Sequence, residues 1–206
     1  MGYTLYGNWL SGPSYKAGLM LRLCGLDFAY RSIDLAKGMH KTPEYLKINR
    51  YGQVPALAHD GRIVVQSNTI LDYVSEQAGR FRGRGEETWR AKEWLAWEAD
   101  RLAPNVNRTR FFTRFAPTTD AAVQKYFRDA AELALKVLDG QLAGRQWLVG
   151  EAASIADIAC YAPVAFAAEG NLELANHSNV KAWAERVAGL PGFAPPYELM
   201  PKADIG

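Results

Sequence analysis

Cysteine is scarce. Cys24 and Cys160 are the two in 206 residues, too few for a disulfide framework. Both fall on apolar helix faces, which predicts buried, inert thiols. Long hydrophobic runs are lacking as well. The stretch IADIACYAPVAFAA holds an acid and a proline and is shorter than the roughly 20 residues of a spanning helix. Neither sign of charge dominates. The 24 basic and 22 acidic residues leave a net +2, which gives no reason to expect nucleic acid or a membrane as a partner. Three histidines, His40, His59 and His177, stand at no metal-ligand spacing from cysteine, so no metal is expected. The opening MGYTLYGNW lacks the basic start and apolar core of a secretory signal. A cytoplasmic protein is the resulting expectation.

What is present is ordinary globular composition, 49% hydrophobic and 22% charged. The chain reads as two unlike halves. Residues 1–79 alternate short strands and helices. YTLYG reads as a strand, and SYKAGLMLRLCG as a helix closed by Gly25. DFAYRSIDL is a second strand. TPEYLKI is a short helix, with Thr42 as N-cap and Pro43 in its first turn. VPALAHDGRIVVQS gives two strands around an Asp60-Gly61 hairpin turn. SNTILDYVSEQAG is a helix with Ser67 as its N-cap and Gly79 at its end. The order βαβαββα predicts one mixed sheet with helices packed on it. RFRGRGEE, within residues 80–87, reads as a linker. Residues 88–206 read as all-helical. A helix is predicted over 88–103, with Pro104 as a kink or stop. Another spans 119–142, with Val123, Tyr126, Phe127, Ala130, Leu133, Ala134, Val137 and Leu138 at helical spacing. SIADIACYAPVAFAA and NVKAWAERVAGLPGF complete the set.

One short stretch carries chemistry. WLSGPSYK, from Trp9 to Lys16, has the layout of the dithiol turn of thioredoxins, with Ser11 and Ser14 where the two cysteines would be. Three further stretches follow in order: GMHKTPEYLKINRYGQVPAL, VVQSNTILDYV and SIADI. Together, and nearly end to end, the chain resembles the soluble glutathione transferases of the serine type, the theta and zeta classes and their bacterial relatives. That resemblance implies a thioredoxin-like α/β N-terminal domain, an all-α C-terminal domain, glutathione as co-substrate and a homodimer. The implied activity is conjugation of the glutathione thiolate to hydrophobic electrophiles. Peroxide reduction or dehalogenation at the same serine is the enzymatic alternative. A non-catalytic binding or scaffold protein on the same fold is the other, and it would be expected to have lost the glutathione residues.

The residues can be weighed for these roles. A glutathione thiol resembles that of cysteine, with a reference pKa of about 8.5, so little of it is thiolate near neutrality. A hydroxyl donor and a helix N-terminus favour the anion. The resemblance gives this catalytic role to Ser11, whereas Ser14 reads as a helix cap and Tyr6 as a core tyrosine. It implies a cis Val54-Pro55 bond, with the Val54 backbone pairing an extended cysteinyl group. It puts the γ-glutamyl carboxylate on Gln66 and Ser67 at a helix start. It puts the glycine carboxylate on His40 and Gln53, beside Lys41, although His40 also reads as a solvated loop histidine. Asp100 matches an acid that reaches glutathione across the dimer, and equally reads as an exposed helix acid. Trp9, Leu10, Asn105, Arg108 and Phe112 are the implied electrophile-pocket residues. His59 and His177 read as surface histidines.

Overall fold

The structure, a computed structural model, describes residues 2–205. The chain forms two compact units. One runs to Arg80 and resumes at Leu190, and the other is Phe81–Gly189.

In the first unit, β1 (Tyr3–Gly7), β2 (Phe28–Ser32), β3 (Ala56–His59) and β4 (Arg62–Val65) make one sheet in the order β2-β1-β3-β4. β1 runs parallel to β2 and antiparallel to β3, and β3 pairs antiparallel with β4. α1 (Gly12–Leu23), α2 (Pro43–Ile48) and α3 (Ser67–Ala78) complete the expected βαβαββα order. The local signals act as anticipated at several points. Thr42 caps α2 with Pro43 behind it, whereas α1 is capped by Ser11 and not by Ser14, which lies inside its first turn. Asp60 and Gly61 both take positive φ, 47° and 75°, as a two-residue hairpin turn of the primed type requires. Leu5, Leu19, Leu21, Leu57, Ile70 and Val74 form the core, each shielded from solvent.

The start of α3 departs from expectation. Its N-cap is Gln66 rather than Ser67, at φ 69° and ψ 118°, with no side chain capping it. This conformation is sparsely populated for a residue with a Cβ and costs on the order of 1–3 kcal/mol. The chain end also departs. Residues from Leu190 onward, expected in the helical half, return to the first unit, where α9 (Pro196–Leu199) packs on α1. Met200, immediately after α9, is buried there.

In the second unit, α4 (Glu86–Trp97) runs through a π-helical turn, Glu98–Leu102, into α5 (Ala103–Phe115). Pro104 therefore does not stop the helix. It lies immediately after the π turn, where the regular i→i−4 ladder is already interrupted. α6 (Ala121–Leu142), α7 (Ile155–Val164) and α8 (Ser178–Ala188) follow. The apolar positions of α6 split into two faces. Ala134 and Leu138 are buried with Ala131, Leu135 and Leu142, whereas Val123, Tyr126, Leu133 and Val137 are exposed.

α7 opens on a reciprocal cap. The Ser154 hydroxyl accepts from Ala156 N–H at 3.2 Å, and the Asp157 carboxylate accepts from Ser154 N–H at 2.8 Å. Asp157 also accepts from Leu148 N–H and from the Trp183 indole, both at 2.9 Å.

Two histidines read as surface residues are structural. His59 stacks on Tyr3, with ring centroids 3.8 Å apart, and its Nδ1 lies 2.7 Å from the Tyr73 hydroxyl. His177 is buried with its Nε2 3.0 Å from Glu132.

Candidate glutathione site

The turn from β1 into α1 is built from short-range hydrogen bonds. Asn8 is buried, and its carbonyl accepts from Ser11 N–H at 3.0 Å. The Asn8 N–H donates to the Ser14 hydroxyl at 3.2 Å, so Ser14 is a structural residue of the turn. The Ser11 hydroxyl accepts from Ser14 N–H at 3.2 Å. A hydroxyl that accepts in this way still has its own proton to donate. Ser11 thus presents a donor at the N-terminus of α1, where the helix dipole favours an anion.

Opposite this turn lies the segment before β3. Lys41 Nζ donates to the Gly52 carbonyl at 2.9 Å. Gly52 has φ 57°, and a Cβ there would come within 2.9 Å of the His40 carbonyl. Both the angle and the space demand glycine. The Gln53 carbonyl accepts from the Tyr45 hydroxyl at 2.8 Å and from the Asn49 amide at 2.7 Å. Burial pushes the Tyr45 phenol up to about 12, so it stays a donor across the working pH range. The Val54-Pro55 bond is cis.

These parts enclose a pocket of about 410 Å³. It gathers Ser11, His40, Gln53, Val54, Pro55, Gln66 and Ser67, which arrive from four separated stretches of sequence. Pro13, Leu35, Lys41, Asn49 and Gly52 complete the lining. His40 Nδ1 is buried and has no hydrogen-bond partner within the protein. The uncapped start of α3 also opens here, and the first-turn N–H groups of a helix lack intrahelical partners. Polar groups around the pocket are therefore disposed to receive anionic and carbonyl oxygens. Asn49 escaped the sequence reading. Its signal was its place beside the Gln53 loop, which becomes visible only once Asn49 is known to be buried.

The remaining expected residues lie elsewhere. Trp9 and Leu10 precede Ser11 but do not line the pocket. On α5 of the second unit, the Asn105 amide donates to the Arg101 carbonyl at 2.6 Å. Arg108 stands 5.2 Å over the Phe127 ring, and Phe112 packs 5.7 Å from the same ring. Asp100 is exposed in the π turn and pairs with Arg101 at 2.7 Å.

Neither cysteine lines the pocket. Burial pushes the Cys24 thiol up to about 11, against a smaller opposite pull from Arg80. At pH 8 only about one thiol in a thousand is then ionised. Cys24 is half-buried and is expected to react more slowly with a maleimide or an aromatic disulfide reagent at pH 8 in the folded chain than in the unfolded one. Rapid labelling of the folded chain would reveal an accessible thiolate.

Among the described residues, no cluster of three or more His, Cys, Asp or Glu side chains could hold a metal ion. Nor is any helix among them long and apolar enough to cross a membrane.

The sequence profile of the glutathione S-transferase N-terminal domain matches residues 1–76, and that of the C-terminal domain matches residues 102–191. The disulfide-bond oxidoreductase YfcG of Escherichia coli (strain K12) is 31% identical over 93% of this chain and 92% of its own length. A crystal structure of a glutathione S-transferase from Pseudomonas fluorescens Pf-5 superposes with a TM-score of 0.89. It is 30% identical and covers 96% of this chain and all of that one. The glutathione transferase URE2P6 of Phanerochaete chrysosporium, solved in complex with oxidized glutathione, superposes with a TM-score of 0.88. It is 25% identical, over 95% of this chain and 94% of that one. Both family profiles fall in their proper order on a chain whose fold matches theirs throughout, and the chain belongs to the glutathione S-transferase family.

Proposed function

We propose that this chain binds glutathione in the first-unit pocket and conjugates its thiolate to hydrophobic electrophiles, in the manner of the serine-type theta and zeta classes. The observation that carries the reading is the convergence of Ser11, Val54, Pro55 and the Gln66-Ser67 helix start on one cavity. Ser11 holds the thiolate, Val54 pairs the cysteinyl backbone, and Gln66 and Ser67 take the γ-glutamyl end. His40, Gln53 and Lys41 take the glycine carboxylate. Trp9 and Leu10, beside Ser11, contact the electrophile, and the enzyme works in the cytoplasm without a metal. Retention on immobilised glutathione together with turnover of a chromogenic aryl halide supports this reading. Retention without turnover supports the binding-protein alternative.

Gln66→Ala and Ser67→Ala are each expected to weaken glutathione binding by about 1–2 kcal/mol, the cost of leaving a charged group without its partner at an exposed rim. Calorimetric titration should show this while turnover at saturation changes little. Unchanged affinity in both variants removes the γ-glutamyl group from this position.

A second reading has its own support in the 31% identity to a disulfide-bond oxidoreductase. With no protein cysteine on the pocket, both thiols would come from glutathione. The bound thiolate attacks one sulfur of a disulfide, and the other sulfur leaves as a thiolate. A second glutathione thiolate then attacks the mixed disulfide, giving oxidised glutathione and the remaining free thiol. Reduction of a small disulfide, coupled to glutathione reductase, separates this reading from conjugation.

The homodimer belongs to the same proposal. Trp89 is 67% exposed on α4, while Trp94 and Trp97 pack edge to face 4.9 Å apart. On α6, the exposed Val123, Tyr126, Leu133 and Val137 are spaced three, seven and four residues apart, which keeps them on one helix face. Aromatic residues are enriched at interfaces. Sedimentation is expected to give twice the 22.8 kDa chain mass, and Leu133→Glu to shift it toward monomer. If Asp100 serves the neighbouring subunit, that monomer also loses glutathione affinity. A fully active wild-type monomer at tens of micromolar would sink both claims.

A further inference from the structure

We propose that the returning segment, residues 196–205, is a positioning element for Ser11: it clamps Trp9 through contacts from Tyr197 and Lys202 and thereby fixes the turn that presents the Ser11 hydroxyl. The proposal rests on the reading that Ser11 activates glutathione.

The turn is secured from inside by Asn8. Its side-chain amide donates to the Ile33 carbonyl at 2.9 Å, and its Oδ1 accepts from Leu10 N–H at 3.0 Å. The Trp9 ring lies 5.8 Å from that of Tyr197, and the Lys202 ammonium stands 4.5 Å above it. A cation over an indole face is held by the ring quadrupole.

The segment that brings these two side chains is itself anchored. β2 is an outer strand of the sheet, so one edge of it is open to pairing. Ile205 occupies that edge. Tyr30 N–H donates to the Ile205 carbonyl at 2.7 Å, and Ile205 N–H donates to the Tyr30 carbonyl at 3.0 Å. One register step along, Ser32 N–H donates to Asp204 Oδ1 at 2.7 Å, and the Ser32 hydroxyl donates to the Lys202 carbonyl at 3.0 Å. At the other end, the Tyr15 hydroxyl donates to the Ala194 carbonyl at 3.0 Å. Met200 is 1% exposed and rests where Gly7 and Gly18 leave room. A Cβ on either glycine would come within 3.0 Å of it.

The backbone of Lys202 is thus fixed to β2, and its ammonium is fixed to Trp9, two residues from Ser11. The Asn8–Ser11 turn is held by the Asn8 bonds and by the contacts of Trp9. Asn8 alone does not restrain the Trp9 ring, so loss of the clamp frees the outer half of the turn. The Ser11 hydroxyl then spends less time aimed into the pocket, while the glutathione contacts at Gln53 and Gln66 stay in place.

The test uses the full chain, Lys202→Met, Lys202→Arg, and a chain ended after Met200. Two readouts are taken: hydrogen exchange of the Ser11 and Ser14 amides, and kcat, KM for glutathione and the pH–rate profile. Lys202→Met is expected to speed exchange at both amides and to lower kcat about two- to fivefold, the scale of one exposed cation–aromatic contact. KM should change less than twofold. Lys202→Arg, which keeps the cation, should restore both readouts. The shortened chain should show a larger loss and a pH–rate midpoint moved upward. Lys202 is exposed, so its variants report even if the shortened chain fails to fold. Wild-type exchange and wild-type kcat in Lys202→Met overturn the proposal, as does a fall in thermal stability with neither readout changed. If Ser11→Ala leaves the pH–rate profile unmoved, the activation reading has failed instead, and exchange at the two amides still decides whether the clamp exists.

Discussion

If the proposed conjugation holds, Ser11→Ala is expected to lower turnover near pH 6.5 by roughly one to two orders of magnitude and to move the midpoint of the pH–rate profile upward by about one to two units. The arithmetic starts from a free thiol near pKa 8.5. Lowering it by two units needs about 2.7 kcal/mol of preferential stabilisation of the anion. A hydrogen bond to a charged group supplies about 1.5–3 kcal/mol, and a helix terminus about 0.3–1. Ser11 offers the first at the site of the second. The sign follows directly. Removing the donor destabilises the thiolate and raises its pKa, so the loss is full at low pH and disappears above the new midpoint. Glutathione affinity should change less, since the peptide contacts remain. Alanine also removes the cap of α1, which costs about 0.5–2 kcal/mol of stability, whereas glycine at a cap costs only a few tenths. Ser11→Gly should therefore match Ser11→Ala in kinetics and wild type in thermal stability. A profile from pH 5.5 to 10 that does not move would assign activation to another donor.

Many of the residues that line the pocket could be picked out from the sequence, because their signals are local. Ser11 sits in a short turn whose neighbours fix its geometry, and Thr42-Pro43 and Asp60-Gly61 specify their elements within four residues. The fold followed from the same local alternation. What escaped depends on contacts distant in sequence. The sequence rule chose Ser67 as N-cap because it carries a hydroxyl. The strand end instead delivers Gln66 in a left-handed conformation, and Ser67 becomes the first helical residue. On α6 both apolar stripes share the helical period, so periodicity alone did not say which one faces the core. His59 and His177 looked bland because their partners, Tyr3, Tyr73 and Glu132, lie 14 to 56 residues away in sequence. The return of residues 190–205 to the first unit depends on pairing with β2 and on space left by Gly7 and Gly18, neither of which leaves a mark in composition.

The largest loss of stability is expected from Asp157→Ala, about 3–5 kcal/mol. Asp157 is fully buried in the second unit and accepts from four donors: Leu148 N–H, Ser154 N–H, the Ser154 hydroxyl and the Trp183 indole. Burial pushes its carboxyl up, and these four bonds pull it back toward the ionised form. Alanine removes the acceptor and leaves the donors in place. Each buried donor left without a partner costs about 1–3 kcal/mol, although the Ser154 hydroxyl can turn to another acceptor and some relaxation follows. The loss also uncaps α7, the helix buried along its whole length. Asp157→Asn is the informative companion. It keeps one oxygen for Leu148 and Trp183 but turns an amide against the Ser154 N–H, so about half the loss should remain. Ser154→Ala should cost less than either, about 1 kcal/mol, since it removes one cap and one donor together. Urea unfolding of the three variants checks the order Asp157→Ala, then Asp157→Asn, then Ser154→Ala. Because Asp157 and the pocket lie in different units, glutathione affinity of the folded fraction should stay at the wild-type value in all three. An alanine variant as stable as wild type would mean that water or a shifted loop satisfies those donors, and that the cap does not organise α7.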